Sequence, residues 1–417
     1  MVPKTWLTAP VGEVTFHRRE ESIGAATHEA VAITVNAYLV NFCSMYVSMM
    51  RFGIAKLPLL VVLTCTALSA SAQMDTVLVK QYVGRAMDYM DRNLTDDAIK
   101  QWDLAILQRP DFTPYKYERA LCFVMAKRYD EAITALLPIY QDTMLYDRGY
   151  QLLGNAYDYT GDSTESRTIY EAGLKAYPNS GRLHYELGAA AFLRGDESTA
   201  LDYWVRGTRV EPRFGTNYYW ICKGFARSAN RIWALFYGEL FINLEPDSDR
   251  TFEISELLYK AWNAGLRLGS EDPIRFCSDE LLSQPSSKGA DQMNFATAFE
   301  YTMALASQKF IPDTGVVDRL SISQIVEARV NFLKAWVKAG YLEQYPNDLF
   351  DWQARVMKEG YLSEYLTWII SSGDKMEMRQ YYDMNGKRYD LFFGWLTGLG
   401  GYSFATAKCV GYGCTDS

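Results

Sequence analysis

The sequence predicts an all-α fold, a solenoid of stacked helical hairpins followed by a smaller helical C-terminal domain. Small residues recur every 34 positions, at Ala86, Ala120, Gly154, Gly188 and Cys222. A helix breaker follows at a fixed offset in most units, as Pro110, Pro178, Pro212 and Pro246. Beyond residue 266 the repeat fades while the helical apolar pattern continues. With 417 residues, 49% hydrophobic, the chain has material for about two or three domains with a real core.

The N-terminal stretch is read separately from the fold. Residues 51–73 carry a short basic start (Arg51, Lys56), an apolar run from Leu57 to Leu68, and Ala70-Ser71-Ala72 before Gln73. This is the pattern of a secretory signal peptide. Met49 and Met50 directly precede it, so 49–72 is assigned as the signal and 1–48 as a mis-extended start or disordered extension. The expected localisation is therefore export, to the periplasm or cell envelope. Cys65 follows Thr64, where a lipoprotein signal wants Gly, Ala or Ser, so lipidation is the lesser reading. After cleavage five cysteines remain, and only Cys409 and Cys414 are close enough in sequence for a small disulfide loop, with two free thiols the equal alternative.

Each 34-residue unit reads as two helices. The first small residue lets the first helix approach its neighbour closely. Twelve residues later a second small residue (Ala98, Ala132, Ser166, Ala200, Ala234) lets the second helix pack onto the first. Sixteen residues after the first comes a bulky packing residue in four units, Trp102, Leu136, Tyr170 and Trp204, but Gly238 in the fifth. The proline cannot continue the second helix and stops it. Met144 stands where the second unit should have its proline, so that junction is expected to differ. Each hairpin leaves an apolar face uncovered, so the units must stack. A sixth helix near 252–266 has Glu256 in place of the small residue and is expected to cap the array.

Leu153-Gly154, Tyr157, Tyr170 and Pro178 in the third unit, and Leu187-Gly188, Ala200 and Pro212 in the fourth, resemble the tetratricopeptide repeat (TPR) family. The resemblance covers residues 79–246. It implies a TPR-type right-handed α-solenoid, with about five repeats plus the capping helix in residues 73–266. It also implies that the first helix of each hairpin lines a concave groove where extended peptides bind.

Residues 267–290 are rich in Gly, Pro and Ser and read as a linker. Residues 291–400 read as a helical C-terminal domain, with helices near 291–308, 322–339, 347–358, 361–371, 375–383 and 387–398, and 401–417 as a tail. Gly340 and Gly360 sit in two echoed stretches, 337–345 and 357–365, as helix C-terminal glycines. Trp336, Trp352 and Trp368 read as core anchors. This half weakly resembles the helical tails of exported repeat proteins of Bacteroidetes-type bacteria.

The search for chemistry returns little. The net charge of −8 argues against general nucleic-acid binding, which rests on neutralising phosphates. Histidines stand only at 17, 28 and 184, too few for most His-rich metal sites, and His184 reads as core. No phosphate loop, Cys-x-x-Cys or His-Glu-x-x-His motif occurs. No catalytic residues, metal ligands or cofactors are assigned, and the chain is read as a non-enzyme.

Carrying the family's groove over position by position assigns Arg148, Asn155, Arg182, Tyr185, Tyr219, Lys223 and Arg227 as peptide-binding residues. A basic and aromatic stripe on an acidic protein points to an acidic segment as ligand, since arginine grips carboxylates bidentately. The clamp that some relatives use for chaperone C-termini needs Lys three before and Asn one after the small residue of one unit. No unit has both. The expected function is a non-catalytic protein- or peptide-binding scaffold of the bacterial cell envelope, meeting the membrane only through an envelope complex. One alternative is a structural subunit of an outer-membrane or secretion assembly docking through its C-terminal helices. Another is a carbohydrate-binding protein or enzyme.

Overall fold

The computed structural model describes residues 77–286 and 292–398. The expected 1–48 extension, the 49–72 signal, the 401–417 tail, and Cys409 with Cys414 lie outside the described residues. The chain divides into two units, residues 1–81 and 82–417. Of the first, only residues 77–81 are described, and they are helical. The second opens in a helix, α1, that ends at residue 91. There follow α2 (Thr95–Gln108), α3 (Thr113–Met125), α4 (Tyr129–Leu136), α5 (Asp147–Thr160), α6 (Ser163–Ala176), α7 (Gly181–Leu193), α8 (Glu197–Val210), α9 (Gly215–Phe225), α10 (Ile232–Leu244) and α11 (Asp249–Gly265). The C-terminal part holds α12 (Asp279–Leu282), α13 (Phe295–Ser307), α14 (Ile322–Lys338), α15 (Tyr341–Gln344), α16 (Asp348–Lys358), α17 (Leu362–Ile369) and α18 (Lys375–Gly398). Among the described residues, β structure is limited to one isolated bridge, Leu266 to Ile274. The fold is an all-α, TPR-like solenoid.

The 34-residue period is a packing rule made of atoms. A Cβ on Gly154 would overlap the ring of Tyr170, and one on Gly188 would overlap the indole of Trp204. The small residue is the notch and the residue sixteen later is the knob. The fifth unit inverts the pair: the space beside Gly238 is taken by the sulfur of Cys222 and by Leu258 from α11. Cys122 and Cys222 are fully buried, as expected of core thiols.

The prolines act through the residue before them. Helices α2, α6, α8 and α10 each end two residues short of Pro110, Pro178, Pro212 and Pro246. The intervening Arg109, Tyr177, Glu211 and Glu245 share one backbone conformation, φ between −138° and −129° with ψ between 72° and 77°. The proline ring excludes the α region for its predecessor, so the helix ends there. Where Met144 replaces the proline, α4 stops earlier, at Leu136, and a 3₁₀ turn (Thr143–Leu145) leads into Tyr146 at φ 52°.

The segment read as a linker joins two halves of one core. Leu268, Phe276 and Cys277 are buried within it. The Glu300 carboxylate of α13 accepts the backbone N–H groups of Phe276 and Cys277, both at 2.7 Å. One hydrophobic cluster runs unbroken from Ala191 in α7 to Leu396 in α18. Its centre is α10, apolar on every side, which α9 and α11 cover from one direction and the C-terminal helices from the other. Two polar side chains of α10 are sealed in this core. Glu239 pairs with Arg329 of α14 and accepts from Gln353 of α16 at 2.6 Å. Asn243 donates to the Tyr365 hydroxyl of α17 at 2.8 Å. Trp336, Trp352 and Trp368 are all buried, as core anchors should be.

Two further details bear on the expected C-terminal helices. Gly340 and Gly360 adopt φ 75° and 80° directly after α14 and α16, the left-handed turn that ends a helix. The expected pair 375–383 and 387–398 is one continuous helix, α18. Gly386 is too weak a breaker to end it, because one glycine inside a helix costs only about 1 kcal/mol.

Candidate functional site

The first helices of successive hairpins touch in sequence, α3 with α5, α5 with α7, α7 with α9 and α9 with α11. Together they build one continuous wall. Six of the seven expected binding residues stand on these helices; the exposed Arg227 lies in the turn just after α9.

The wall is a ladder of contacts between helices about one repeat apart. Arg148 reaches back to Glu118 (3.5 Å) and lies over the Tyr117 ring. Arg182 donates to the Gln151 carbonyl at 3.2 Å, stands 3.8 Å from Asp147, and covers Phe214. Lys223 donates to Glu253 (2.7 Å) and to the Tyr219 hydroxyl (2.9 Å). The Tyr219 hydroxyl itself donates to Glu253. Arg250 is paired with Glu245 and lies over Tyr219. Asn155 accepts from the Tyr170 hydroxyl at 2.6 Å. Tyr185 is half-buried, and its hydroxyl takes a hydrogen bond from the Trp220 indole.

The expected residues are thus brought together, but not as an uncompensated basic stripe. Arg148, Arg182 and Lys223 each stand beside a carboxylate of the same wall. The partners recur 30 to 35 positions away, so the signal was present in the sequence as acidic residues one repeat from each cation. Tyr219 is buried, with its hydroxyl engaged by Glu253 and its ring against Lys223 and Arg250.

The residue missed is Glu186, two before the fourth small residue. Its carboxylate accepts from Gln151 Nε2 at 2.6 Å and from the Asn155 amide. Burial pushes it up to about 7, nearby Asp158 adds to the rise, and the amides with Arg182 pull weakly the other way. Burial also pushes the neighbouring Tyr159 phenol up to about 12. His184, on the opposite side of α7, is buried with Nδ1 at 2.8 Å from the Ser180 carbonyl, and burial lowers its pKa. It is a core histidine.

Among the described residues, no group of three or more His, Cys, Asp or Glu is placed to hold a metal. No described helix is long and apolar enough to cross a membrane. A cavity of about 20 Å³ lies beside the buried Glu239–Arg329 pair, between Phe236, Trp262, Phe299 and Phe350. That is room for about one water molecule, and no more.

The family model for the tetratricopeptide repeat matches residues 83–141 and 152–210. No curated protein matches the chain. Among solved structures, a crystal structure of MamA is 15% identical over 40% of this chain and 92% of its own, with a TM-score of 0.31. YrrB, described as a TPR protein with an unusual peptide-binding site, is 18% identical over 40% of this chain and 87% of its own, with a TM-score of 0.29. The C-terminal part of a TPR repeat-containing protein from Cytophaga hutchinsonii is 16% identical over 43% of this chain and 92% of its own, with a TM-score of 0.22. The second matched stretch holds the Gly154–Tyr170 and Gly188–Trp204 pairs described above, so the sequence similarity and the notch-and-knob packing fall on the same hairpins.

Proposed function

We propose that this chain is a non-catalytic scaffold of the bacterial cell envelope that holds an extended segment of a partner protein along its inner wall. The observation that carries this reading is the continuity of that wall. Five consecutive first helices, α3 to α11, present Arg, Tyr, Trp, Asn, Gln and Glu in register, on a rigid stack. Aromatic and amide groups held this way offer contact area at low entropy cost, which suits recognition. The envelope location rests on the 49–72 leader. Gln73 as the mature N-terminus, found by mass spectrometry, supports export; an intact residue 1 sinks it.

The acidic ligand that the sequence suggests rests on a basic stripe without carboxylate partners. The carboxylates beside Arg148, Arg182 and Lys223 remove that reason. The test of the scaffold reading is a crosslinked pull-down from envelope extracts with residues 73–417 as bait, beside the same bait carrying Arg148→Ala, Arg182→Ala and Tyr185→Ala. A partner held by the native bait and lost by the variant supports the wall.

One observation favours a second reading, docking through the C-terminal helices. Met376, Met384 and Leu391 are exposed along one side of α18, at 73%, 78% and 63%. A partner kept by the triple variant but lost on Met384→Glu with Leu391→Glu moves the interface there.

A further inference from the structure

The inner wall holds a central carboxylate, Glu186, with no ion pair among the described residues. Arg148, Arg182, Lys223 and Arg250 stand beside Glu118, Asp147, Glu253 and Glu245. Glu186 lies between these pairs and is bound only by neutral amides. The cause is local. Gln151 is inserted between Glu186 and Arg182, donating to the carboxylate from Nε2 and accepting from the guanidinium at Oε1. The amide keeps the one nearby cation away.

The surroundings of Glu186 are aromatic. Tyr159 of α5 is exposed, its ring stacked on Tyr129 at 4.9 Å between centroids. Tyr185, on the same helix, is half-buried and fixed by Trp220. Tyr170 of α6 is buried, and its hydroxyl contacts both Asn155 and Asp158. The titratable and charged groups that act on or feel Glu186 are therefore Asp158 and Tyr159 from α5, Tyr170 from α6, and Arg182 and Tyr185 from α7. A carboxylate beside the exposed ring of Tyr159 and the half-buried ring of Tyr185 is the chemistry that recognises lysine or arginine, by a charge-assisted hydrogen bond and by cation–π contact.

We infer that Glu186 sets the specificity of the inner wall, and that the partner segment presents a lysine or arginine there, flanked by Tyr159 and Tyr185. This rests on the wall being the binding site. It reverses the sign of the ligand expected from the arginines alone. A consequence follows for pH. The free carboxyl holds its proton up to about pH 7, and a cationic ligand requires it ionised. Affinity for a basic peptide then rises about tenfold from pH 6 to pH 8, as the ionised fraction rises.

The experiment is an array of immobilised 12-residue peptides built from Ala, Ser, Leu and Tyr, with Lys, Arg, norleucine or Glu at the central position. It is probed with fluorescently labelled full-length protein and with Glu186→Gln, at pH 6 and pH 8. The expected result is at least fivefold retention of Lys and Arg peptides over norleucine at pH 8, a smaller preference at pH 6, and no preference with Glu186→Gln. Thermal melts establish that the variant is folded. Peptides retained without a basic preference, or a preference that survives Glu186→Gln, overturn this inference and leave the wall as the site. No peptide retained in any class overturns the wall and the inference together.

Discussion

A methyl group added at Gly188 would overlap the indole of Trp204, which is itself buried. Gly188→Ala is therefore expected to cost about 1–3 kcal/mol in urea unfolding, the usual range for overpacking a filled core. Gly195→Ala meets no atom but sits at φ 82°, so its penalty is backbone strain of about 1 kcal/mol. Two glycines seven residues apart thus fail for different reasons. Glu186 supplies a residue-scale test that needs no ligand. Its carboxyl titrates at about 7 in the fold, against 4.5 for a free glutamate. The native state holds that proton to higher pH than the unfolded chain does. Glu186 therefore destabilises the protein progressively as pH rises from about 4.5 to 7. Glu186→Gln should gain in melting temperature relative to native at pH 8, and show no such gain at pH 4.5. A gain of equal size at both pH values would mean that charge is not the cause.

At the scale of elements, α10 decides most. A helix apolar on every side must be covered on every side, and its run Ile232-Trp233-Ala234-Leu235-Phe236-Tyr237 shows this in the sequence. What covers it is not visible there. The two polar groups inside, the Glu239 carboxylate and the Asn243 amide donor, are met by Arg329, Gln353 and Tyr365 from three separate C-terminal helices. Breaking a buried pair leaves one charge unmatched, so Arg329→Leu is expected to cost about 3–5 kcal/mol. Glu239→Leu with Arg329→Leu should recover much of that loss. Hydrogen exchange of α14 and α16 in the single variant is the direct measure, with faster exchange localised to those helices as the expected result.

Across the whole 82–417 unit, the repeats and the C-terminal helices share one core. A chain ending at residue 266 would expose Trp233, Phe236 and Leu235 on α10, which α13, α14 and α16 now cover. Such a chain is expected to bind a hydrophobic dye and to aggregate, whereas residues 73–417 keep that cover and should remain monodisperse by light scattering. A well-behaved 73–266 fragment would show instead that α10 can be capped without the C-terminal helices.

The sequence by itself determined what depends on neighbours a few residues away or on a fixed period. The prolines stop their helices because each restricts the residue before it. Gly340 and Gly360 end theirs because the turn needs a positive φ. The small and bulky residues sixteen apart meet because a hairpin of constant length folds them onto each other. These effects place Arg148, Asn155, Arg182, Tyr185, Tyr219 and Lys223 on one wall, and they place Cys122, Cys222 and His184 in the core. Only the tertiary structure decided which of those groups keep a free charge. Whether Arg182 meets Asp147, Gln151 or Glu186 depends on the register of α5 against α7, set to within an ångström or two by the core beneath them. A hydrogen bond is made or lost over that distance, while hydrophobic periodicity is not. The same holds for Glu239, whose partners lie 90 and 114 residues further along the chain.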